Sequence, residues 1–405
     1  MSFIINPYRY AAGASFYQYA TADGADADIS DAGGLHSAGT FTVPAAWNGR
    51  YVRVGAGGRT SSNSTSLKVT MNKGGAQFDG AAEYFGSGVT NNPGGATGHS
   101  APTVVTTGDA FTMSGPVNNT NGSWKYMEVL SSSFSGAMAN RTSTFSVGTA
   151  YTTCEWNNEV YDTDGYFTTG SPTVFTIPSG RSGKFRIQAG LECTAPGTEM
   201  GLTLSTSADP GNMECDNSAG GALSIFSPPL SLTTSDTASL SVRTQSATTM
   251  KVDANTWYSI EELPSGIQYA IAEFGSSVAV ASGSTFQSVS PSTEFADVGG
   301  WYTAGQDHFT VPSGVTKIRL GFFIKSTNTL GSAWGFGIFK NGAEFQQMPY
   351  NAQTNASVEC LHGASGIIEV TAGDTFDFRA RTAAGSMSVA AGSFIWIEEV
   401  QAVTS

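Results

Sequence analysis

Four histidines, His36, His99, His308 and His362, are the whole supply of imidazole in this chain of 405 residues. None lies in a Gly-x-Ser-x-Gly elbow, which would expose a nucleophilic serine, or in a His-Glu-x-x-His pattern, which would hold zinc on one helix face. His308 directly precedes a Phe-Thr-Val-Pro phrase and reads as a polar residue at the start of a strand. Paired carboxylates, the groups that glycoside hydrolysis needs, occur at Glu261-Glu262 and Glu398-Glu399. Neighbours along a strand point to opposite faces, so neither pair converges on one bond, and both read as strand ends. The expectation is a protein that is not an enzyme and carries no cofactor.

Two acidic stretches have the residue types for calcium: Asp23, Asp26, Asp28 and Asp31 in one loop, and Asp162, Asp164 and Gly165 after Glu159 in another. Neither completes the twelve-residue calcium loop, and aspartates commonly organise turns, so no metal is expected. Cys154, Cys193, Cys215 and Cys360 have no zinc spacing. They read as buried thiols, with a Cys193 to Cys215 disulfide as the alternative. Trp47, Trp301, Tyr302 and Trp334, with Tyr84, fall in or beside predicted loops. Exposed aromatic faces stack on sugar rings, which makes the first four candidate glycan contacts; the alternative is that they plug the ends of sandwiches. Trp124, Trp257 and Trp396 lie on predicted strands and read as core or module-interface residues.

The elements that must position these residues repeat. Phe41-Thr42-Val43-Pro44, Phe175-Thr176-Ile177-Pro178 and Phe309-Thr310-Val311-Pro312 are 134 positions apart at each step (175 − 41 and 309 − 175). Each phrase leads into a short alternating strand: Gly49 to Val54, Gly183 to Ile187, and Gly314 to Leu320. Period-two alternation marks a strand with one buried face. Met71 to Phe78 matches Ile338 to Phe345 around Lys73-Gly74-Gly75 and Lys340-Asn341-Gly342, a hairpin signal because Asn and Gly tolerate positive φ. Gly108-Asp109, Ser235-Asp236 and Gly373-Asp374 follow, and each copy closes on an aromatic strand, Trp124 to Leu130, Trp257 to Leu263 and Phe394 to Val400.

These spacings predict an all-β chain of three tandem antiparallel β-sandwich domains, with no segment of sustained helical period. The modules are expected at residues 15–132, 148–265 and 270–402, joined by short linkers at Ser131 to Gly136 and Pro264 to Gly266, after an N-terminal arm at 1–14. A formal charge of −13 disfavours nucleic acid as a partner, since phosphate binding needs a basic surface. No apolar run is long enough to span a bilayer. Met1 to Tyr8 has no basic start and is interrupted by Asn6-Pro7, so assembly in a cytoplasm is expected.

The ordered motifs, fullest in the third copy (Phe309 to Pro312, Lys340-Asn341-Gly342, Gly373-Asp374, Phe394 to Ile397), resemble the jelly roll of the complement globular head and tumour necrosis factor superfamily. The second copy departs most, lacking the hairpin and having Ser235 in the glycine place. The resemblance implies trimers about a threefold axis, so the three copies are expected to form a covalent pseudo-trimer, a homotrimer stacked in tiers, or a row of sandwiches. Met1 to Ala12 resembles the N-terminal peptides of structural proteins in tailed bacteriophages. Phe3, Ile4, Ile5, Tyr8 and Tyr10 are too apolar to leave in water, and are expected to dock on another virion protein. Together these resemblances imply a structural protein on the exterior of a tailed-phage virion, a capsid decoration or head fibre. The alternative is a receptor-binding tail fibre that attaches to host surface glycan.

Overall fold

The computed structural model describes residues 16–22, 25–30, 36–37, 40–59, 67–78, 80–81, 84–86, 95–114, 123–194, 200–207, 213–217, 222–244, 248–250, 256–326, 334–344, 351–353, 360–382, 385 and 387–401. Apart from a 3-10 turn at Ala45–Trp47, the regular elements among them are strands, paired antiparallel throughout. The chain is all-β, folded as three antiparallel jelly-roll sandwiches.

The third module illustrates the plan. Its inner sheet runs, in spatial order, Thr293–Val298, Tyr269–Phe274, Ser393–Glu399, Lys317–Lys325 and Cys360–Ala364. Its outer sheet runs Gly283–Ser288, Thr375–Thr382, Trp334–Lys340 and Ala343–Glu344, with His308–Thr310 also paired to Thr375–Thr382. Apart from the Trp334–Lys340 and Ala343–Glu344 hairpin, most neighbours within a sheet are distant in sequence, as Ser393–Glu399 beside Tyr269–Phe274 and Lys317–Lys325 shows. The inner sheets of the first and second modules centre likewise on Tyr51–Arg59 beside Ser123–Val129, and on Gly183–Thr194 beside Trp257–Glu262.

Burial separates the two kinds of sheet. Thr237–Thr244 and Thr375–Thr382 alternate strictly between buried and half-buried residues, as strands with one face on a core should. Lys317–Lys325 is buried at every position between its ends. Inner strands are therefore covered on both faces, which corrects the expectation of one buried face drawn from their alternation: the polar positions face other modules instead of water.

The repeated phrases anchor each sandwich. Phe41, Phe175 and Phe309 are wholly buried, and Val43, Ile177 and Val311 nearly so. The N–H groups of Val43, Ile177 and Val311 donate to the carbonyls of Asp109, Asp236 and Asp374. Each of those aspartates accepts through its side chain from the N–H three residues earlier, on Thr106, Thr233 and Thr371. The residue before each aspartate has φ near +80°, which suits Gly108 and Gly373 and is unusual for Ser235 (φ 74). In the first and third modules the hairpin lysine closes the motif, Lys73 on Asp109 at 2.7 Å and Lys340 on Asp374 at 2.8 Å.

Several expectations change. Gly136–Asn140 pairs with the closing strand Trp257–Glu262, so the second module begins ahead of residue 148 and the linker before it shortens to 131–135. Trp47, Trp301, Tyr302 and Trp334 are all buried, at 6%, 1%, 5% and 2% exposure, and cannot stack on a sugar. The Asp297 carboxylate accepts the N–H groups of Gly300, Trp301 and Tyr302 and turns both rings inward. There the Trp301 indole N–H donates to the Val298 carbonyl and the Tyr302 hydroxyl to the Pro291 carbonyl. Trp334 faces the third core from an outer strand, and Trp47 caps the first core from its 3-10 turn. Asp162 is occupied in the same way as Asp297, accepting N–H groups from Asp164, Gly165, Tyr166 and Phe167. Asp164 is held by Arg181. No group of three metal-ligating side chains occurs among the described residues. Cys154, Cys193 and Cys360 are buried thiols outside any disulfide. Phe3, Ile4, Ile5, Tyr8 and Tyr10, and the side chains of Asp23, Asp26, Asp28, Asp31 and Tyr84, lie outside what is described.

Candidate functional site: an axial charge ring

Each inner sheet sets one arginine directly opposite one glutamate on the neighbouring strand: Arg53 against Glu128, Arg186 against Glu261, and Arg319 against Glu398. All six residues are at most 5% exposed. Within the modules, Arg53 pairs with Glu128, Arg186 with Glu261 at 3.4 Å, and Arg319 with Glu398 at 3.0 Å. Between modules, Arg53 pairs with Glu261, Arg186 with Glu398, and Arg319 with Glu128 at 2.9 Å. Every arginine thus bridges two glutamates and every glutamate two arginines, in a closed ring of alternating sign to which each module gives one residue of each type. The Arg319 to Glu128 pair joins the third module to the first, a contact that a row of sandwiches lacks.

Electrostatics follow from this closure. Burial would raise the Glu128 carboxyl, but the Arg319 and Arg53 guanidiniums outweigh it and hold it below the usual carboxylate range. Burial would lower Arg319, but Glu128, Tyr126 and Glu398 raise it. Arg186 is lowered, burial prevailing there over Glu398 and Glu261.

One residue caps the ring on its inner side. The Phe226 ring centre lies 4.5 Å from the guanidinium carbon of Arg186, 5.2 Å from that of Arg319 and 5.6 Å from that of Arg53, within cation–π range of all three. Its counterparts are identified by the serine that follows it. Ser100, Ser227 and Ser365 each accept the N–H of the residue after the ring arginine, Val54, Ile187 or Leu320, at 2.9 to 3.0 Å. The preceding residues are His99, Phe226 and Ala364.

The rest of this layer is equally unlike from module to module. Gly55 faces Tyr126, Gln188 faces Ser259, and Gly321 faces Trp396. A Cβ on Gly55 would fall 2.4 Å from the Tyr126 ring, and one on Gly321 2.3 Å from the Trp396 ring, so each aromatic lies flat across a glycine. His99 Nδ1 and the Tyr126 hydroxyl are 2.6 Å apart, the His99 ring lies 4.4 Å from Phe226, and Phe226 stacks on Trp396 at 6.0 Å. One module supplies the phenylalanine, one the tyrosine and histidine, and one the tryptophan. Each side chain fills space that its counterparts leave.

Both axial histidines are held neutral. Burial, reinforced by Arg319 and Arg53, keeps His99 well below its usual range, and burial brings His362 down to about 4. Trp257 and Trp396 pack into the clusters of the preceding modules, and Trp124 packs with Ile367 of the third. The reading of these tryptophans as core or interface residues agrees with their positions. Glu261 and Glu398, read as strand ends, are ring members. The ring arginines carried a signal in the sequence, since Arg53, Arg186 and Arg319 recur at 133-residue steps (186 − 53 and 319 − 186) and Glu128 precedes Glu261 by the same interval. The ring contains no nucleophile. Its chemistry is to hold three modules in one cyclic arrangement.

The outer side of the ring is the floor of a cavity of about 410 Å³, walled by apolar residues such as Leu130, Phe134, Leu263, Ile267 and Val400 together with the polar and charged Ser133, Arg181, Glu262, Glu399 and Gln401. Phe16, Gly136 and Tyr269, on the first strands of the three modules, pair with Glu128, Glu261 and Glu398, so the chain enters every module at this end.

No family model matches the sequence, and no curated protein does. Solved structures give distant likenesses. Murine APRIL at pH 8.0 is 14% identical with TM-score 0.26, over 32% of this chain and 99% of that one. The globular domain of zebrafish complement 1qA is 12% identical with TM-score 0.25, over 32% and 98%. An archaeal virus protein described by its triple jelly roll fold and turret assembly is 11% identical with TM-score 0.19, over 96% and 92%.

Proposed function

We propose that this protein is a non-enzymatic structural component of the exterior of a tailed-phage virion, a capsid decoration or head-fibre protein assembled in the host cytoplasm. The observation that carries the reading is the unlike axial layer. Three copies of one module would place identical residues around an axis. Here His99, Phe226 and Ala364, and Tyr126, Ser259 and Trp396, complement one another within a single chain. Such a chain is its own trimer, a preassembled block with one end at which the first strand begins and both linkers and the last strand meet. In this reading Phe3, Ile4, Ile5, Tyr8 and Tyr10 attach that end to another virion protein, and many copies add avidity. The tail-fibre alternative loses the aromatic residues first offered for glycan contact, all four being buried.

Two measurements test it. Light scattering after size exclusion should give a mass near 42.0 kDa, and a stable trimer of chains would refute the self-contained block. Deleting residues 1–10 should leave the melting transition intact and abolish incorporation into particles. Normal incorporation of the truncated chain would refute the docking role.

A further inference from the structure

We infer that the axial layer on the inner side of the charge ring contains an internal water site in the second module, with water bound between the side chains of Gln188 and Ser259. The three inner sheets lay corresponding rows of residues across this layer: His99, Gly55 and Tyr126 in the first module, Phe226, Gln188 and Ser259 in the second, and Ala364, Gly321 and Trp396 in the third. In the first and third rows an aromatic ring lies flat across a glycine, and in the first the Tyr126 hydroxyl reaches His99. The second row reverses the sizes. A long carboxamide stands in the glycine place, and a small hydroxyl stands in the place of the ring.

Gln188 and Ser259 share the axial face with Arg186 and Glu261 of the ring, each lying two residues away on the same strand. Gln188 is 1% exposed and Ser259 0%. Both polar atoms of the Gln188 amide and the Ser259 hydroxyl are buried without a hydrogen-bond partner among the described residues, although the two side chains stand directly opposite each other. Leaving such groups bare costs folding free energy, and buried polar groups in folded proteins are paired with protein or with ordered water. The neighbours offer no pairing. Phe226 has no polar side-chain atom, and the Arg186 guanidinium is committed to Glu261, Glu398 and the Ser227 carbonyl. Water is the ligand that fits. The carboxamide donates through nitrogen and accepts through oxygen, and the hydroxyl does both, so the open groups are uncharged and of mixed sense. An anion would face the lone pairs of Gln188 Oε1, and a cation would face the N–H groups of Nε2. Buried waters make about three hydrogen bonds each, and three atoms are open here.

The test is water-selective NMR on the full chain with isotope-labelled glutamine, the Gln188 side-chain amide being assigned by its loss in Gln188→Met. That amide should show a rotating-frame cross-peak to water of the sign that marks dipolar contact with a long-lived water, opposite to the sign of proton exchange. Ser259→Leu places an aliphatic group where the other modules carry the Tyr126 and Trp396 rings, and should abolish the cross-peak in a chain that stays folded. Absence of a dipolar cross-peak in the unaltered chain, or its persistence in folded Ser259→Leu protein, would overturn the site. If Ser259→Leu does not fold, crystallographic density of the unaltered chain decides. A peak within hydrogen-bond distance of the Gln188 amide and Ser259 Oγ supports the water, and a direct Gln188 to Ser259 hydrogen bond or no peak overturns it. None of these readouts depends on the proposed virion role.

Discussion

Replacing Glu398 by glutamine tests whether the charge ring holds the modules together. Glu398 is 1% exposed and bridges Arg186 of the second module to Arg319 of the third. Glutamine keeps the shape but leaves the ring with one uncompensated positive charge, and it turns a donor amide toward guanidiniums that can only donate. Breaking a buried ion pair by neutralising one partner costs about 3 to 5 kcal/mol. That is a large fraction of the roughly 5 to 15 kcal/mol that stabilises a typical domain. Urea denaturation is the assay, since guanidinium salt would screen the effect under study. A cycle with Arg186→Met and Glu398→Leu should show a coupling of about 2 kcal/mol, because the double variant again balances the ring. The Arg181 to Asp164 pair is the control, with its arginine side chain 36% exposed, and its cycle should stay within about 1 kcal/mol. A loss below about 1 kcal/mol for Glu398→Gln, or a coupling no larger than the control, would refute the claim that the ring ties modules together.

Other perturbations read other parts of the molecule. Phe309→Ala removes a wholly buried ring that packs edge-on against Phe378 at 4.8 Å, and should cost about 3 to 5 kcal/mol by calorimetry. Gly321→Ala sets a Cβ 2.3 Å from the Trp396 ring and should lower the melting temperature and quench or shift tryptophan emission, whereas Gly74→Ala in an exposed hairpin, with nothing near its Cβ, should show only the milder strain of a positive φ. Stability should fall as pH drops from 6.5 toward 4, because the unfolded chain protonates His99 and His362 there while the folded chain keeps them neutral; each contributes at most about 1.4 kcal/mol per pH unit. Below that window, protonation of Glu128, whose folded value is depressed, removes its own contribution. Replacing both histidines by glutamine should flatten the slope between pH 6.5 and 4, and an unchanged slope would refute this assignment.

What the sequence determined by itself is what is local or periodic. The Phe-Thr-Val-Pro phrases, the Asn341-Gly342 turn and the Gly-Asp corners report backbone demands met within a few residues, so the all-β class and the threefold repetition were legible from spacing, and the jelly-roll likeness from the resemblance of the ordered motifs to a known superfamily. The boundary of the second module was less so, because Gly136–Asn140 is assigned by pairing with a strand more than a hundred residues later. Burial of Trp47, Trp301, Tyr302 and Trp334 was decided by how turns fold back. The Asp297 carboxylate that draws Trp301 and Tyr302 inward looks in sequence like any loop aspartate. The ring itself was the least legible part. An arginine on an alternating strand reads as facing water, and its repetition at equal intervals is equally consistent with three identical surfaces. Only the closing of three sheets about one axis removes that water, brings Glu128 to Arg319 across 191 positions of chain, and makes Phe226, His99 and Ala364 parts of one packed layer. Such closure depends on the joint shape of surfaces remote in sequence, and no single segment of the chain encodes it.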